Sequence, residues 1–209
     1  MARSWERRIA RIRRDRSSGA STLLSDGIEA ARLFLAEARY LPPGRFAARL
    51  ERFTLRLVAS QPSMAVFLTL LNALWLACEE EVPAPSATPL AWQRVQAALA
   101  RYADGIDRGL HAVVRRAAAL VKPRSLVLTY SHSTAVRLAL WGAMAAGRPF
   151  EVVCSESRPA QEGVALARRL SDLGISVHVV TDAALAEWAE EVDLLLLGAD
   201  AIMPAVVVN

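Results

Sequence analysis

Apolar residues recur at helical spacing through the first part of the chain and then change to short continuous runs. Leu24, Ile28, Ala31 and Leu35 lie one face apart, which predicts a helix from Leu23. Leu41-Pro42-Pro43-Gly44 breaks that pattern. A second helix fits Phe46 to Ala59 and stops at Gln61-Pro62-Ser63, where Ser63 can cap a third helix running to Glu80. Val82 to Pro89 reads as a loop. A long helical stretch follows from Leu90 to Val121, with an interruption expected near Asp104-Gly105.

Beyond Lys122-Pro123 the runs have the length and texture of buried parallel strands: Ser125 to Thr129, Phe150 to Cys154, Ser176 to Val180 and Asp193 to Leu197. Helical segments separate them, at Thr134 to Ala146, Gln161 to Leu173 and Ala183 to Glu190, with Gly147 and Gly174 as stops. Strands alternating with helices define an α/β class with right-handed βαβ crossovers. The pattern assigns no order to the strands. The domain boundary is placed at Val121/Lys122, giving a helical domain over 1–121 and an α/β domain over 122–209.

With 54% hydrophobic and 22% charged residues, 209 residues can bury a substantial core, and disorder is excluded. The net charge of +4 comes from arginine; Lys122 is the one lysine. Arg3, Arg7, Arg8, Arg11, Arg13, Arg14 and Arg16 crowd the start. A nucleic-acid arm and a solvated helix face both fit this run. Glu6 and Asp15 interrupt it, no aromatic series accompanies it and no nucleic-acid motif follows, so the helix face is the favoured reading and no nucleic-acid partner is expected. Cys78 and Cys154 form no CxxC, which removes zinc and disulfide frameworks and fits a reducing cytoplasm. Met64 to Cys78 is too short to span a bilayer and carries Thr69 and Asn72, so it reads as a buried helix and no membrane association is expected.

Ligands of open parallel sheets bind outside the carboxyl ends of the strands. There the chain places Thr129-Tyr130-Ser131-His132-Ser133, then Ser155-Glu156-Ser157-Arg158-Pro159, then Thr181-Asp182, then Gly198-Ala199-Asp200. The first set opens a helix, whose free N–H groups and dipole suit a phosphate, although Ser133 also fits a plain helix cap. No glycine lies between Leu128 and Leu140, which argues against a dinucleotide cofactor. Arg158 offers a planar fork to an anion, or a surface ion pair to Glu156; Pro159 can open the next helix. Asp200 follows four leucines, where partial desolvation raises a carboxyl pKa and suits acid–base work; a structural cap is the alternative. His132 can titrate near neutrality, whereas His111 and His178 read as core or surface residues. Cys154 fits a buried core thiol or one approaching the pocket.

The segments TYSHSTAV (129–136), ESRPAQEG (156–163), GISVHVVTDAA (174–184) and GADAI (198–202), in this order and spacing, resemble the family that contains methylthioribose-1-phosphate isomerase, ribose-1,5-bisphosphate isomerase and the alpha, beta and delta subunits of initiation factor 2B. DRSSGA (15–20) resembles the segment before that family's first substrate-binding helix. The resemblance implies a helical domain followed by a Rossmann-like parallel sheet, a sugar-phosphate ligand, no nucleotide or metal cofactor, and homo-oligomers. Asp200 matches the isomerases' aspartate. Arg158 and Arg16 match phosphate-binding arginines, and Gly19 and Ala20 match backbone that approaches the sugar. The family's catalytic cysteine falls on Ser131, whose hydroxyl is a far poorer acid than a thiol. Family members also continue beyond the apolar run Val206 to Asn209, so the α/β domain is expected to be truncated, finishing on an unpaired strand.

Two functions follow as expectations. One is an aldose–ketose isomerase of a phosphorylated pentose, with Asp200 and Ser131 catalytic and Arg16, Gly19, Ala20, His132, Ser133 and Arg158 binding substrate. The other is a regulatory, initiation-factor-2B-like subunit that binds sugar phosphate without turnover.

Overall fold

The computed structural model describes residues 3–16, 18–79 and 88–208. The chain forms two compact units, Met1–Asp107 and Arg108–Asn209.

In the first unit, α1 (Ser4–Arg14) buries Trp5, Ile9 and Ile12 along one face. Its arginines occupy the other side, where acidic groups meet them. Asp26 accepts from Arg8 at 2.9 Å and from Arg11, and Glu6 pairs with Arg56 at 2.8 Å. Arg3, Arg8 and Arg11 are thus held by carboxylates, Glu37 for the first and Asp26 for the other two. Helices α2 (Ala20–Ala38), α3 (Pro43–Val58) and α4 (Ala65–Glu79) complete the packing, with Pro43 at the first position of α3, where its missing N–H costs nothing. Phe34 stacks on Phe53 with centroids 4.7 Å apart, and Trp5 meets both rings edge-on. Such pairs add about 0.5–1.5 kcal/mol beyond the area they bury. Helix α4 buries Phe67, Leu70, Leu74 and Ala77 but exposes Leu68 and Leu76, so it is a one-sided helix rather than the buried one expected. Among the described residues no helix is long and apolar enough to cross a membrane.

Helix α5 (Thr88–Leu120) is continuous, against the break expected near Asp104-Gly105. A glycine in a helix interior costs only about 1 kcal/mol, which the neighbouring turns outweigh when no proline intervenes. The expected loop Val82–Pro89 lies outside the described residues up to position 87, and α5 begins at Thr88. The division between the two units falls within α5, at Asp107.

The second unit runs β1 (Leu126–Thr129), α6 (Thr134–Ala145), β2 (Glu151–Ser155), α7 (Glu162–Asp172), β3 (Ser176–Val180), α8 (Leu185–Glu191) and β4 (Leu194–Leu195). All four strands are parallel, in the order β3-β2-β1-β4. Thr129 sits opposite Cys154, which sits opposite Val179, so the three carboxyl ends are level. Val127, Val152, Cys154, Leu140, Leu166 and Leu170 form the core between sheet and helices. Gly147 and Gly174, at φ 74° and 80°, follow α6 and α7 as left-handed stops.

Three expectations are corrected here. Strand β4 is two residues long rather than five: it is the edge strand and pairs with β1 only at Val127 and Leu128. Helix α7 spans Glu162–Asp172, within a residue of the Gln161–Leu173 expected, but Pro159, offered as its opener, lies outside it. The terminal apolar run is not unpaired. β6 (Val206–Val208) returns antiparallel on β5 (Ala201–Met203), giving its backbone partners, while Ile202, Met203, Val206 and Val207 remain exposed.

Candidate active site

The sheet order places a topological switch between β1 and β4. The chain winds from β1 through β2 to β3 on one side, then crosses back to the other. Clefts at such a reversal are where open α/β sheets take their ligands. Ser131 follows β1 and Asp200 follows β4, so the order unreadable in the sequence brings these two to the switch point.

Ser131 has φ 61°, a left-handed conformation that costs a non-glycine residue about 1–3 kcal/mol and persists only where surroundings enforce it. The enforcement is visible. Ser131 N–H donates to Ser157 Oγ at 2.8 Å, and Ser131 Oγ donates to Glu162 Oε2 at 2.7 Å. Ser157 (φ 58°) and Gln161 (φ 56°) are left-handed as well. Ser157 Oγ lies 2.9 Å from Ser155 Oγ. Asp182, after β3, accepts the N–H groups of Ser157 and Arg158, each at 2.8 Å. Those two bonds, first that from Arg158, hold its carboxyl below the usual range. Buried Gly163 closes the arrangement. A Cβ there would stand 1.7 Å from the Ser155 carbonyl oxygen and 2.9 Å from Ser157 Oγ, so only glycine lets α7 approach β2 this closely.

Asp200 is half-buried. Burial, followed by the charge of Glu162, pushes its carboxyl above the usual range. Burial, then the charges of Arg169 and Arg137, pushes the His132 imidazole down, so it is neutral at neutral pH; Arg169 Nη1 lies 3.5 Å from its Nε2. Ser133 Oγ accepts from Val136 N–H at 3.4 Å and caps α6. Arg158 is exposed and paired with Glu156 at 3.3 Å, a contact an incoming anion can replace at little cost. Cys154 is fully buried, its Sγ directed at the Gly163 carbonyl at 3.3 Å and its thiol pushed up to about 11, which makes it a core residue and no source of thiolate.

Arg16, Gly19 and Ala20 belong to the first unit. Gly19 caps α2 without a side chain and Ala20 is its first residue. Arg16 lines a cavity of about 540 Å³ with Ala10, Arg13 and Arg14. Gln61 Nε2 donates to the carbonyls of Ile12 and Asp15, both at 2.8 Å, and fixes the turn that carries Arg16. Glu162 is the member of the Ser131 cluster that the sequence reading passed over. Its signal was its place at the first turn of a helix, directly before a glycine. Among the described residues no group of His, Cys, Asp and Glu is arranged to hold a metal ion.

A helical unit followed by a Rossmann-like unit with its polar residues at the switch point defines the class, and residues 16–209 match the Initiation factor 2 subunit family. The chain belongs to that family. It is 28% identical over 194 residues to a translation initiation factor eIF-2B subunit 2-like protein of Pyrococcus horikoshii, covering 93% of this chain and 65% of that protein. It is 34% identical over 82 residues to the ribose 1,5-bisphosphate isomerase of Methanocaldococcus jannaschii, covering 39% of this chain and 27% of the enzyme. Among solved structures, the initiation factor eIF-2B of Pyrococcus horikoshii OT3 superposes with a TM-score of 0.77 at 24% identity, over 97% of this chain and 68% of that one. The 5-methylthioribose 1-phosphate isomerase of the same organism gives 0.73 at 18% identity, over 95% of this chain and 58% of that one. The chain thus spans between about a quarter and two thirds of the length of these curated relatives.

Proposed function

We propose that this chain binds a phosphorylated pentose and isomerises it from aldose to ketose, on a substrate of the ribose 1,5-bisphosphate or methylthioribose 1-phosphate type, in the cytoplasm. One observation supports this above the others. Ser131, a hydroxyl held in a strained turn, and Asp200, a carboxyl with raised pKa, follow the two strands that flank the switch point. Asp200 moves a proton between neighbouring carbons. The N-terminus of α6 and the Arg158 guanidinium hold phosphate, and neutral His132 hydrogen-bonds a sugar oxygen. Arg16, with the backbone of Gly19 and Ala20, supplies an anion contact on the first unit. Self-association belongs to the same reading, since α6 is apolar along much of its length and leaves Trp141 exposed on the second unit; a mass above one chain by light scattering is expected.

A regulatory reading draws support from Ser131 standing where the isomerases of this family carry cysteine, and from the long match to the eIF-2B subunit 2-like relative. NMR with ribose 1,5-bisphosphate and methylthioribose 1-phosphate separates the two. The isomerase reading expects binding, slow formation of the ketose and faster turnover in Ser131→Cys with affinity little changed. Binding with no ketose, even in Ser131→Cys, selects the regulatory reading. No binding of either sugar removes both.

A further inference from the structure

Outside the assigned roles stands Glu162. We infer that Glu162 is the proton acceptor behind Ser131, so that the hydroxyl and the carboxylate together do the work of a single thiolate; this rests on the isomerase reading above.

The geometry carries the assignment. The Ser131 Oγ to Glu162 Oε2 distance of 2.7 Å is that of a strong hydroxyl–carboxylate bond, between residues 31 apart in the chain. Neither partner wanders. Ser131 is pinned through its backbone N–H to Ser157, and Glu162 is fixed by Gly163 pressed on the Ser155 carbonyl. Both therefore take their positions from the same segment, Ser155 to Ser157. Both are half-buried rather than mobile surface groups. The charge of Glu162 also reaches Asp200, raising its pKa after burial does, which links the pair to the second proton-transfer group.

A serine hydroxyl cannot carry the charge a thiol would, but it can pass a proton on. Ring opening breaks the bond between C1 and the ring oxygen. The electron pair goes to that oxygen, which takes a proton from solvent. Asp200 then takes the proton from C2, whose electron pair forms the C1–C2 double bond. Asp200 returns that proton to C1, the C2 hydroxyl becomes the carbonyl, and its proton passes to Ser131 Oγ as Ser131 hands one to Glu162. Glu162 releases that proton to solvent, so one proton has entered and one has left, the cycle closes and Ser131 is never an alkoxide. Glu162 touches Ser131 and not the sugar, so it is a positioning and relay residue.

The test is a variant set assayed for turnover of ribose 1,5-bisphosphate across pH and for its binding by titration calorimetry. Glu162→Gln keeps the shape of the side chain and removes the accepting carboxylate. It should lower turnover at least about 10²-fold and leave binding within about threefold. Ser131→Ala, Glu162→Gln and the double variant should lose similar amounts, as members of one unit do. Adding Ser131→Cys to Glu162→Gln should restore most of the loss, because a thiol holds the charge itself; a merely structural Glu162 would not be rescued this way. The relay is overturned if Glu162→Gln turns over like the parent, or stays as slow after Ser131→Cys is added. It is also overturned if the sugar binds and no variant turns it over, an outcome that leaves sugar-phosphate binding standing. No binding removes the underlying reading and the relay together.

Discussion

Replacing Gly163 with alanine tests the packing that organises the site. The added Cβ falls 1.7 Å from the Ser155 carbonyl oxygen and 2.9 Å from that carbonyl carbon. The near atom is backbone in the middle of a hydrogen-bonded sheet edge, so no side chain can swing aside. To reach ordinary contact the start of α7 must retreat by roughly 1.5 Å, the gap left to a heavy-atom separation of about 3.2 Å or more. Overpacking in a tight core costs about 1–3 kcal/mol, and a backbone clash belongs at the upper end. For a unit of about a hundred residues that is a fall in Tm of at least 10 °C, roughly. The same retreat carries Glu162 away from Ser131, stretching a 2.7 Å bond past hydrogen-bonding range. Misplacing a catalytic partner by about 1 Å costs on the order of 10²-fold in rate. Differential scanning calorimetry and ketose formation by NMR should therefore fall together in Gly163→Ala. A variant melting within about 2 °C of the parent, with turnover unchanged, would refute the claim that α7 is seated by this contact.

Three further outcomes follow from the same geometry. Arg158→Ala should weaken phosphopentose binding by about 10- to 150-fold, the loss of one charge-assisted contact of roughly 1.5–3 kcal/mol, read by calorimetry whether or not turnover occurs. Asp200→Asn should abolish turnover and leave binding nearly intact; in the parent, activity should fall as pH drops through a value above the usual carboxylate range, because burial and Glu162 raise the Asp200 pKa. The folded Asp200 pKa lies above its unfolded one, so ionisation opposes folding at neutral pH and the asparagine variant should melt no lower than the parent there. Asp182 has the opposite sign: its folded pKa is depressed by the N–H groups of Arg158 and Ser157, so its stabilisation is present above the unfolded pKa and fades as pH falls through the folded one. Asp182→Asn should flatten that acid-side loss of Tm.

Much of this architecture is legible from periodicity. The switch from helical spacing to short apolar runs after Lys122 matches the strands because buried parallel strands have no polar face to blur the signal. Asp200 and Ser131 were legible because strand ends mark ligand edges in this class of sheet. What was not legible depends on long-range pairing. Strand order decides that β1 and β4 are neighbours, and no local pattern encodes it. Glu162 reads as an ordinary acidic residue at a helix start, which the helix dipole favours anyway, until β2 and α7 pack and turn it toward Ser131. The continuity of α5 past Gly105 depends on the turns on either side, which a local helix breaker does not reveal.

The order β3-β2-β1-β4 also sets a timetable for a growing chain. The first three strands are laid down next to their predecessors, so they can pair as soon as they emerge. By Asp182 the chain already holds Ser131, Glu162, Arg158 and the carboxylate that accepts the N–H groups of Ser157 and Arg158. Strand β4 has to come back across the finished half-sheet, and Asp200 arrives with it, last. The residues proposed to grip the anion and to relay the C2 hydroxyl proton are thus in place before Asp200, proposed to move the proton between carbons, arrives with β4.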